Sequence, residues 1–134
     1  MTEPCVFCQI IRHNAPHSAI YEDESTIAFL SNRPVNPGHT LIVPKKHHEN
    51  IHQISDQEIA HIYIVVKRVA EAVNKAIKPE GIRIVQNNGE TAGQVIPHFH
   101  VHVIPMYRQL ATFHGEIREP SALEKEAEKI RRFI

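Results

Sequence analysis

The sequence predicts an α+β fold, in which an antiparallel sheet of about five strands packs with one long central helix and a C-terminal helix. Short apolar runs bounded by turn residues occur on both sides of a single long stretch with helical periodicity. Strands and helices therefore do not alternate as they would in repeated βαβ units. The 134 residues suit one domain covering 1–134. We expect its core at about 4–107, followed by a C-terminal extension with a helix at 120–133.

The first part of the chain contains a short helix or turn and three strand-like runs. The segment 5–12 (CVFCQIIR) is the helix or turn, and two β-like runs then flank the polar turn Glu22–Ser25. Residues 35–38 (VNPG) predict a turn, because proline fixes φ and glycine tolerates positive φ. Residues 39–44 (HTLIVP) predict a buried strand that ends at Pro44, with His39 as a satisfied packing residue at its start.

The long helix is the clearest element. Ser55 and Glu58 form a capping box at its start, and Pro79 and Gly81 end it. The apolar residues that follow the cap at helical spacing are Ile59, Ile62, Val66, Val69 and Val73.

Two further strands and a helix complete the prediction. Residues 81–87 (GIRIVQN) are the next strand, and 87–93 (NNGETAG) are a loop rich in turn formers. The last strand lies between Gln94 and Pro105. Ser121 and Glu124 repeat the capping-box pattern ahead of a charged helix that runs to about Phe133.

Composition excludes some classes of function. Lys plus Arg and Asp plus Glu both number 15, so the chain has no large field for nucleic acid or for a membrane surface. It has no apolar run long enough to span a bilayer, and its N-terminus (MTEPCVFCQII) lacks the features of a signal peptide. We therefore expect a cytoplasmic protein whose Cys5 and Cys8 stay reduced.

The stretch 97–105 (PHFHVHVIP) carries the strongest functional signal. His98, His100 and His102 occupy alternate positions, and apolar residues fill the gaps. On a strand the three imidazoles share one face at spacings of about 6–7 Å, because the rise is about 3.3 Å per residue. The apolar residues face the core.

Four interpretations of this line of histidines remain open. A solvated face that happens to be rich in histidine is the plainest, although Lys, Thr or Glu would serve such a face equally well. The triad could itself bind a metal, or it could belong to a structural zinc module. It could also catalyse, because neutral imidazole is a good nucleophile toward phosphorus and titrates near neutral pH.

Residues 98–104 resemble the signature of the histidine triad (HIT) superfamily, in which three histidines alternate with apolar residues. GHTLIVPKKH at 38–47 resembles the central strand of that family and the histidine after it. CVFCQII at 5–11 and GQVIPHFHVHV at 93–103 resemble its opening segment and its catalytic strand. The resemblance covers about 4–107 and is closest to the Hint-like or bacterial and archaeal branch.

The resemblance implies an enzyme, a HIT-type nucleotidyl hydrolase or transferase. Its substrate would be a purine nucleotide attacked at the α-phosphate, such as a nucleoside phosphoramidate or a dinucleoside polyphosphate. His100 would attack to form a nucleotidyl-histidine, His102 would donate to a phosphate oxygen, and Gln94 would complete the catalytic set. The implied nucleotide-binding residues are Val6, Phe7, Ile10 and Phe29 around the base, Ser31 at the ribose, and Asn87, Gly93, Val95 and Ile96 near the ribose and phosphate.

The same resemblance implies a structural zinc ion held by Cys5, Cys8, His47 and His98. Two thiolates and two neutral imidazoles make a closed tetrahedral site with no open position. A redox Cys-x-x-Cys motif and simply packed cysteines are the alternatives. Family members are commonly homodimers joined through the long helix and a sheet edge, and Tyr63, Ile64 and Val65 would add apolar surface outside the main helix stripe.

Two residues differ from the family pattern. Ser31 stands where many Hint-like members have an acidic residue that holds the ribose hydroxyls, and Val95 stands where they often have a serine that assists the leaving group. The alternative functions are a nucleotide-binding regulatory module with little turnover and a zinc-stabilised scaffold with no nucleotide role.

Overall fold

Five strands form a single antiparallel sheet in the computed structural model, which describes residues 5–109 and 116–134. They are β1 (Ala19–Glu22), β2 (Thr26–Leu30), β3 (Thr40–Pro44), β4 (Gly81–Val85) and β5 (Val101–Met106). Their order in the sheet is β1-β2-β3-β5-β4, and every neighbouring pair is antiparallel. The α+β prediction is confirmed, and β5 lies inside the sheet between β3 and β4. The predicted core boundary at residue 4 falls outside the described residues.

Helix α2 (Asp56–Ile77) covers one face of the sheet. Ser55 is confirmed as its N-cap, because the Ser55 hydroxyl oxygen accepts from the Glu58 N–H at 3.1 Å. The second bond of the predicted capping box differs, because the Glu58 carboxylate accepts from the Ser55 hydroxyl at 3.0 Å and not from the Ser55 N–H. The predicted apolar stripe packs on the sheet, but the placement of Val65 on the outer surface was wrong. Val65 is 1% exposed, because the stripe of a 22-residue helix that lies across a sheet is wider than one residue per turn.

Helix α3 (Pro120–Arg131) packs on the same core through Leu123, Ala127 and Ile130. The C-terminal helix is therefore part of the core and not an extension outside it. The predicted capping box at Ser121 was wrong, because Glu119 is the N-cap and Pro120 is the first helical residue. Proline favours that position, since its φ suits a helix and its missing N–H is not needed there.

The other face of the sheet is covered by helix α1 (Val6–Ile11), which confirms the helical interpretation of 5–12. Phe7 and Ile10 pack there on side chains of β2 and β3 in a second, smaller apolar cluster. The helix is only six residues long, so it covers part of this face. The remainder of the face carries the histidines. None of the helices among the described residues is both long and apolar enough to cross a membrane.

Candidate active site and metal centre

The three histidines lie at the start of β5 and in the segment just before it. Regular pairing with β3 begins at Val101, so His98 and His100 precede the strand and only His102 is within it. The predicted alternation is nevertheless confirmed, because Phe99, Val101 and Val103 are fully buried in the core under α2. The rings of His100 and His102 are 4.9 Å apart and tilted by 66°, closer than the predicted spacing because the rings lean edge to face.

His100 has one tautomer imposed on it by the backbone. Its Nδ1 lies 2.7 Å from the carbonyl oxygen of His98, which can only accept a hydrogen bond. Nδ1 therefore carries the proton, and Nε2 keeps a free lone pair. Burial lowers the pKa of His100, so the ring stays neutral and nucleophilic near neutral pH.

His102 has the opposite tautomer, which is imposed through His39. The Val35 N–H donates to Nδ1 of His39 at 3.0 Å, so the proton of a neutral His39 is on Nε2. That Nε2 lies 2.9 Å from Nδ1 of His102 and donates to it. The remaining nitrogen of His102, Nε2, is then an N–H donor.

Burial keeps this histidine pair neutral. Desolvation, with the neighbouring imidazoles adding to it, lowers the pKa of His39 to about 3 and that of His102 to about 4. His39 is satisfied and buried, as the sequence predicted, but its contact with His102 was missed. The available signal was that His39 starts the strand 39–44, which the family resemblance makes the central strand of the sheet.

His98 faces the two cysteines. Its Nε2 donates to the Pro44 carbonyl at 2.8 Å, so its Nδ1 carries the lone pair. That Nδ1 lies 3.4 Å from Sγ of Cys5 and 3.6 Å from Sγ of Cys8. Nδ1 of His47 lies 3.3 Å from Sγ of Cys8. The structure thus brings together all four predicted metal ligands, and their ligating atoms lie within 4.8 Å of one another.

The spacing of these atoms fits a tetrahedral ion. Bond lengths of about 2.3 Å to sulfur and 2.0–2.1 Å to nitrogen place neighbouring ligand atoms about 3.5 Å apart. The three sulfur–nitrogen distances of 3.3, 3.4 and 3.6 Å are close to that value. Burial lowers the pKa of His98 to about 4, so its imidazole is neutral, as a ligand must be. Burial, with the neighbouring Cys5, raises the pKa of Cys8, and a bound cation would offset that effect by stabilising the thiolates.

The predicted base-binding residues meet beside the triad. The rings of Phe7 and Phe29 are 5.6 Å apart at 66°, and Phe7 is also 5.1 Å from the His100 ring. Ile10 belongs to the same apolar cluster, and Ile96 packs against it. Val6, on the outward side of α1, is exposed. This group provides an apolar surface within reach of His100.

The predicted ribose and phosphate residues have differing environments. Ser31 is buried, and its Oγ accepts from the Arg33 N–H at 3.2 Å, so its hydroxyl proton is available to donate. Asn87 lies beside Gly93, whose φ of +97° favours glycine. Val95 is 85% exposed, whereas the side chain of Gln94 is buried and bonded to backbone groups. No contact here tests the nucleotide role of these residues, which stays a prediction.

A sheet covered on one face by α2 and α3, with three tautomer-defined histidines on the other, defines an α+β protein of the histidine triad class. The HIT domain family model matches residues 12–109. A Schizosaccharomyces pombe protein named adenosine 5'-monophosphoramidase is 40% identical over 101 residues, covering 75% of this chain and 73% of that protein. The chain therefore belongs to the histidine triad (HIT) family.

Solved structures agree with this assignment. A HIT-like protein from Bartonella henselae superimposes with a TM-score of 0.91 at 32% identity, covering 100% of this chain and 98% of that one. A zinc-bound histidine triad family protein from Mycobacterium smegmatis gives a TM-score of 0.84 at 33% identity, covering 96% and 91%.

Proposed function

We propose that this protein is a nucleotide-binding hydrolase or transferase that acts at the α-phosphate of a purine nucleotide. The observation that carries the proposal is the free Nε2 lone pair of His100, beside the Nε2–H donor of His102. A nucleophile and a donor on adjacent rings suit attack on a phosphorus whose oxygens gain negative charge. Membership of a family that includes a protein named adenosine 5'-monophosphoramidase supports hydrolysis at such a centre.

The proposed reaction has two displacements. Nε2 of His100 bonds to the α-phosphorus as the bond to the leaving group breaks, and the leaving group takes a proton from water on the open side near the exposed Val95. The ring of the nucleotidyl-histidine is then cationic, and the His98 carbonyl that accepts from its Nδ1–H stabilises that charge. Water next bonds to phosphorus and releases one proton to solvent, which replaces the proton taken by the leaving group. The electron pair of the His100–phosphorus bond returns to Nε2 as that bond breaks, so the ring is again neutral. Donation from His102 to a non-bridging oxygen supports both steps.

The test is His100→Asn assayed with adenosine 5'-phosphoramidate and diadenosine polyphosphates. Turnover should fall at least about a thousandfold, because the nucleophile is lost, while AMP still raises the melting temperature. His52→Asn, an exposed residue in another segment, is the control and should keep wild-type turnover. Wild-type protein that binds AMP without turnover would favour a regulatory module, and equal turnover in both variants would overturn the proposal.

We further propose that Cys5, Cys8, His47 and His98 hold a structural zinc ion, which would tie the N-terminal segment to the sheet. The segment that carries His47 is anchored by the next residue, since Nε2 of the buried His48 lies 3.0 Å from the Glu58 carboxylate at the start of α2. Mass spectrometry should find about one zinc ion per wild-type chain, one per His52→Asn chain and far less in Cys5→Ser. Equal zinc in Cys5→Ser would exclude the site.

We also propose a homodimer formed through α2 and the β4 edge. A groove of about 370 Å³ lies between them, lined by residues that include Tyr63, Ala70 and Ile82. Ile84, which also lines the groove, is 46% exposed, and Ile64 on α2 is 55% exposed. The opposite edge of the sheet, β1, is partly occupied within the chain, because Nε of Arg131 donates to the Ala19 carbonyl at 2.7 Å. Light scattering should show a dimer for the wild type and for Ile117→Arg, and a monomer for Ile84→Arg; a dimeric Ile84→Arg would contradict the proposal.

A further inference from the structure

Gln94 connects three separate parts of the chain through its side-chain amide. Its Oε1 accepts from the Gly89 N–H at 2.8 Å. Its Nε2 donates to the Glu49 carbonyl at 2.6 Å and to the Ile96 carbonyl at 3.1 Å. The residue is buried. Both amide hydrogens are therefore used by the protein itself, which leaves none to donate to a phosphate.

These bonds restrain a loop that is otherwise easily deformed. The loop 87–96 contains Gly89 and Gly93, both at positive φ, on either side of the short 3₁₀ turn Glu90–Ala92. Glycine has the largest backbone freedom to lose, so a loop with two glycines needs specific bonds to hold one shape. Gln94 bonds to Gly89 in two ways, since its side chain accepts from the Gly89 N–H and its main-chain N–H donates to the Gly89 carbonyl at 3.1 Å.

A second amide supports the same restraint from the neighbouring segment. Oδ1 of Asn88 accepts from the Ile51 N–H at 2.8 Å and from the Gln86 amide at 2.7 Å. The loop is thus joined to residues 49–51 at two points. Those residues follow His48, whose carbonyl accepts from the Phe99 N–H at 2.7 Å inside the triad.

The restrained loop presents backbone donors next to Gln94. Among residues 5–109 and 116–134, the N–H groups of Val95 and Ile96 donate to no protein acceptor, although the N–H groups of Gly93, Gln94 and His98 all do. Two successive free N–H groups immediately before the triad are suitable donors for an anionic oxygen. Gln94 bonds to the Gly89 N–H before these two residues and to the carbonyl of Ile96 itself, so it holds the backbone that carries both N–H groups.

We propose that Gln94 is a positioning residue, which fixes the loop 87–96 so that the N–H groups of Val95 and Ile96 face the phosphate attacked by His100. The proposal rests on the proposed function for the identity of the phosphate. It replaces the sequence-based expectation that Gln94 itself acts on the substrate. Only an amide serves here, because the site needs one acceptor for Gly89 and two donors for the carbonyls of Glu49 and Ile96.

Two substitutions separate these requirements. Gln94→Met keeps the length of the side chain but makes none of the three bonds. Gln94→Glu keeps the acceptor for Gly89 and places a carboxylate against two carbonyl oxygens. Gln53→Met is the matched control, because the exposed Gln53 accepts from the Glu49 N–H at 2.6 Å but makes no bond to the loop 87–96.

The first measurement needs no nucleotide. Amide hydrogen exchange of the peptide covering 86–96 should become at least about tenfold faster in Gln94→Met than in the wild type, while peptides from β2 and β3 are unchanged. Gln53→Met should exchange like the wild type. Wild-type protection of 86–96 in Gln94→Met would overturn the proposal.

The second measurement uses adenosine 5'-phosphoramidate. Both Gln94 variants should lose at least about tenfold in kcat with KM within about threefold of the wild type, because displaced donors weaken transition-state stabilisation most. Wild-type kcat in Gln94→Met or Gln94→Glu would contradict the positioning role. If Gln94→Met melts far below the wild type, the kcat of Gln94→Glu alone tests the positioning role. If the wild type itself has no turnover, the proposed function fails and the exchange experiment alone tests the restraint.

Discussion

Nε2 of His39 donates to Nδ1 of His102 across 2.9 Å, from the residue before β3 to a residue within β5. The direction of this bond follows from the Val35 N–H, which occupies the other nitrogen of His39. A main-chain turn thereby determines which nitrogen of a triad histidine carries a proton. Neutral imidazole has two tautomers, and without such a restraint both would be populated.

Replacing His39 tests this relationship. In His39→Phe the donor is lost, His102 can place its proton on either nitrogen, and kcat should fall about tenfold or more. AMP should bind within about threefold of the wild-type affinity, because the apolar surface near Phe7 is intact. His39→Gln restores an amide donor and should recover part of the rate. Equal kcat for wild type and His39→Phe would show that the tautomer of His102 has no part in turnover.

Two glycines with the same φ of +91° differ in their surroundings. A Cβ on Gly38 would collide with Ile77 and lie 3.2 Å from Pro105, whereas a Cβ on Gly89 would meet no atom within 4 Å. Gly38→Ala should therefore destabilise by about 3–5 kcal/mol, the sum of backbone strain and overpacking, and Gly89→Ala by about 1–3 kcal/mol from strain alone. Urea unfolding measures both. Equal losses would mean that the collision is relieved by movement of Ile77.

Helix α3 should contribute strongly to stability. Ile130 is fully buried against the sheet and α2, whereas Phe133 is 47% exposed beyond the end of the helix. Ile130→Ala should lower the free energy of unfolding by about 2–5 kcal/mol, and Phe133→Ala by about 1 kcal/mol or less. The comparison uses urea denaturation followed by circular dichroism. If Ile130→Ala had only a small effect, α3 would be an extension that contributes little to the stability of the core.

Asp23 should make stability depend on acid pH. Although burial raises its pKa, hydrogen bonds from the Tyr21 hydroxyl, the Ser25 N–H and His61 lower that pKa to about 2, below the ordinary value of 3.8. A lowered folded-state pKa gives stability that is present above pH 3.8 and lost as the pH falls through 2.

Asp23→Asn measures this contribution. At pH 6 the variant should be less stable by about 1 kcal/mol, after allowance for solvent screening, and the difference should shrink as the pH approaches 2. Glu24→Gln, which removes an exposed carboxylate from the same turn, is the control. If the stability difference between the wild type and Asp23→Asn grew toward acid pH, the pKa of Asp23 would be raised by folding and not lowered.

Local pattern was sufficient for much of this molecule. The helical spacing after Ser55 predicted α2 and its cap, because both depend on residues within one or two turns of each other. The alternation at 98–103 predicted which side chains enter the core, because the strand period is two and the apolar partners need burial. The predicted range 120–133 begins where α3 begins, but its N-cap was predicted at Ser121, two residues too late, because proline at the first helical position outweighed the capping-box pattern.

The sequence by itself determined the residue types that the site needs: three histidines on one face, two cysteines three residues apart, and an apolar face to hold the strand. The tertiary structure alone decided the proton positions of His98 and His102, because the Pro44 carbonyl and the ring of His39 reach them only when β3 pairs with β5. The proton position of His100 depends on a carbonyl only two residues away. The tertiary structure also decided the bonds of Gln94, since Glu49 is 45 residues distant along the chain. Hydrogen bonds between distant segments depend on angles and distances of a fraction of an ångström, and no local pattern of residue types specifies these.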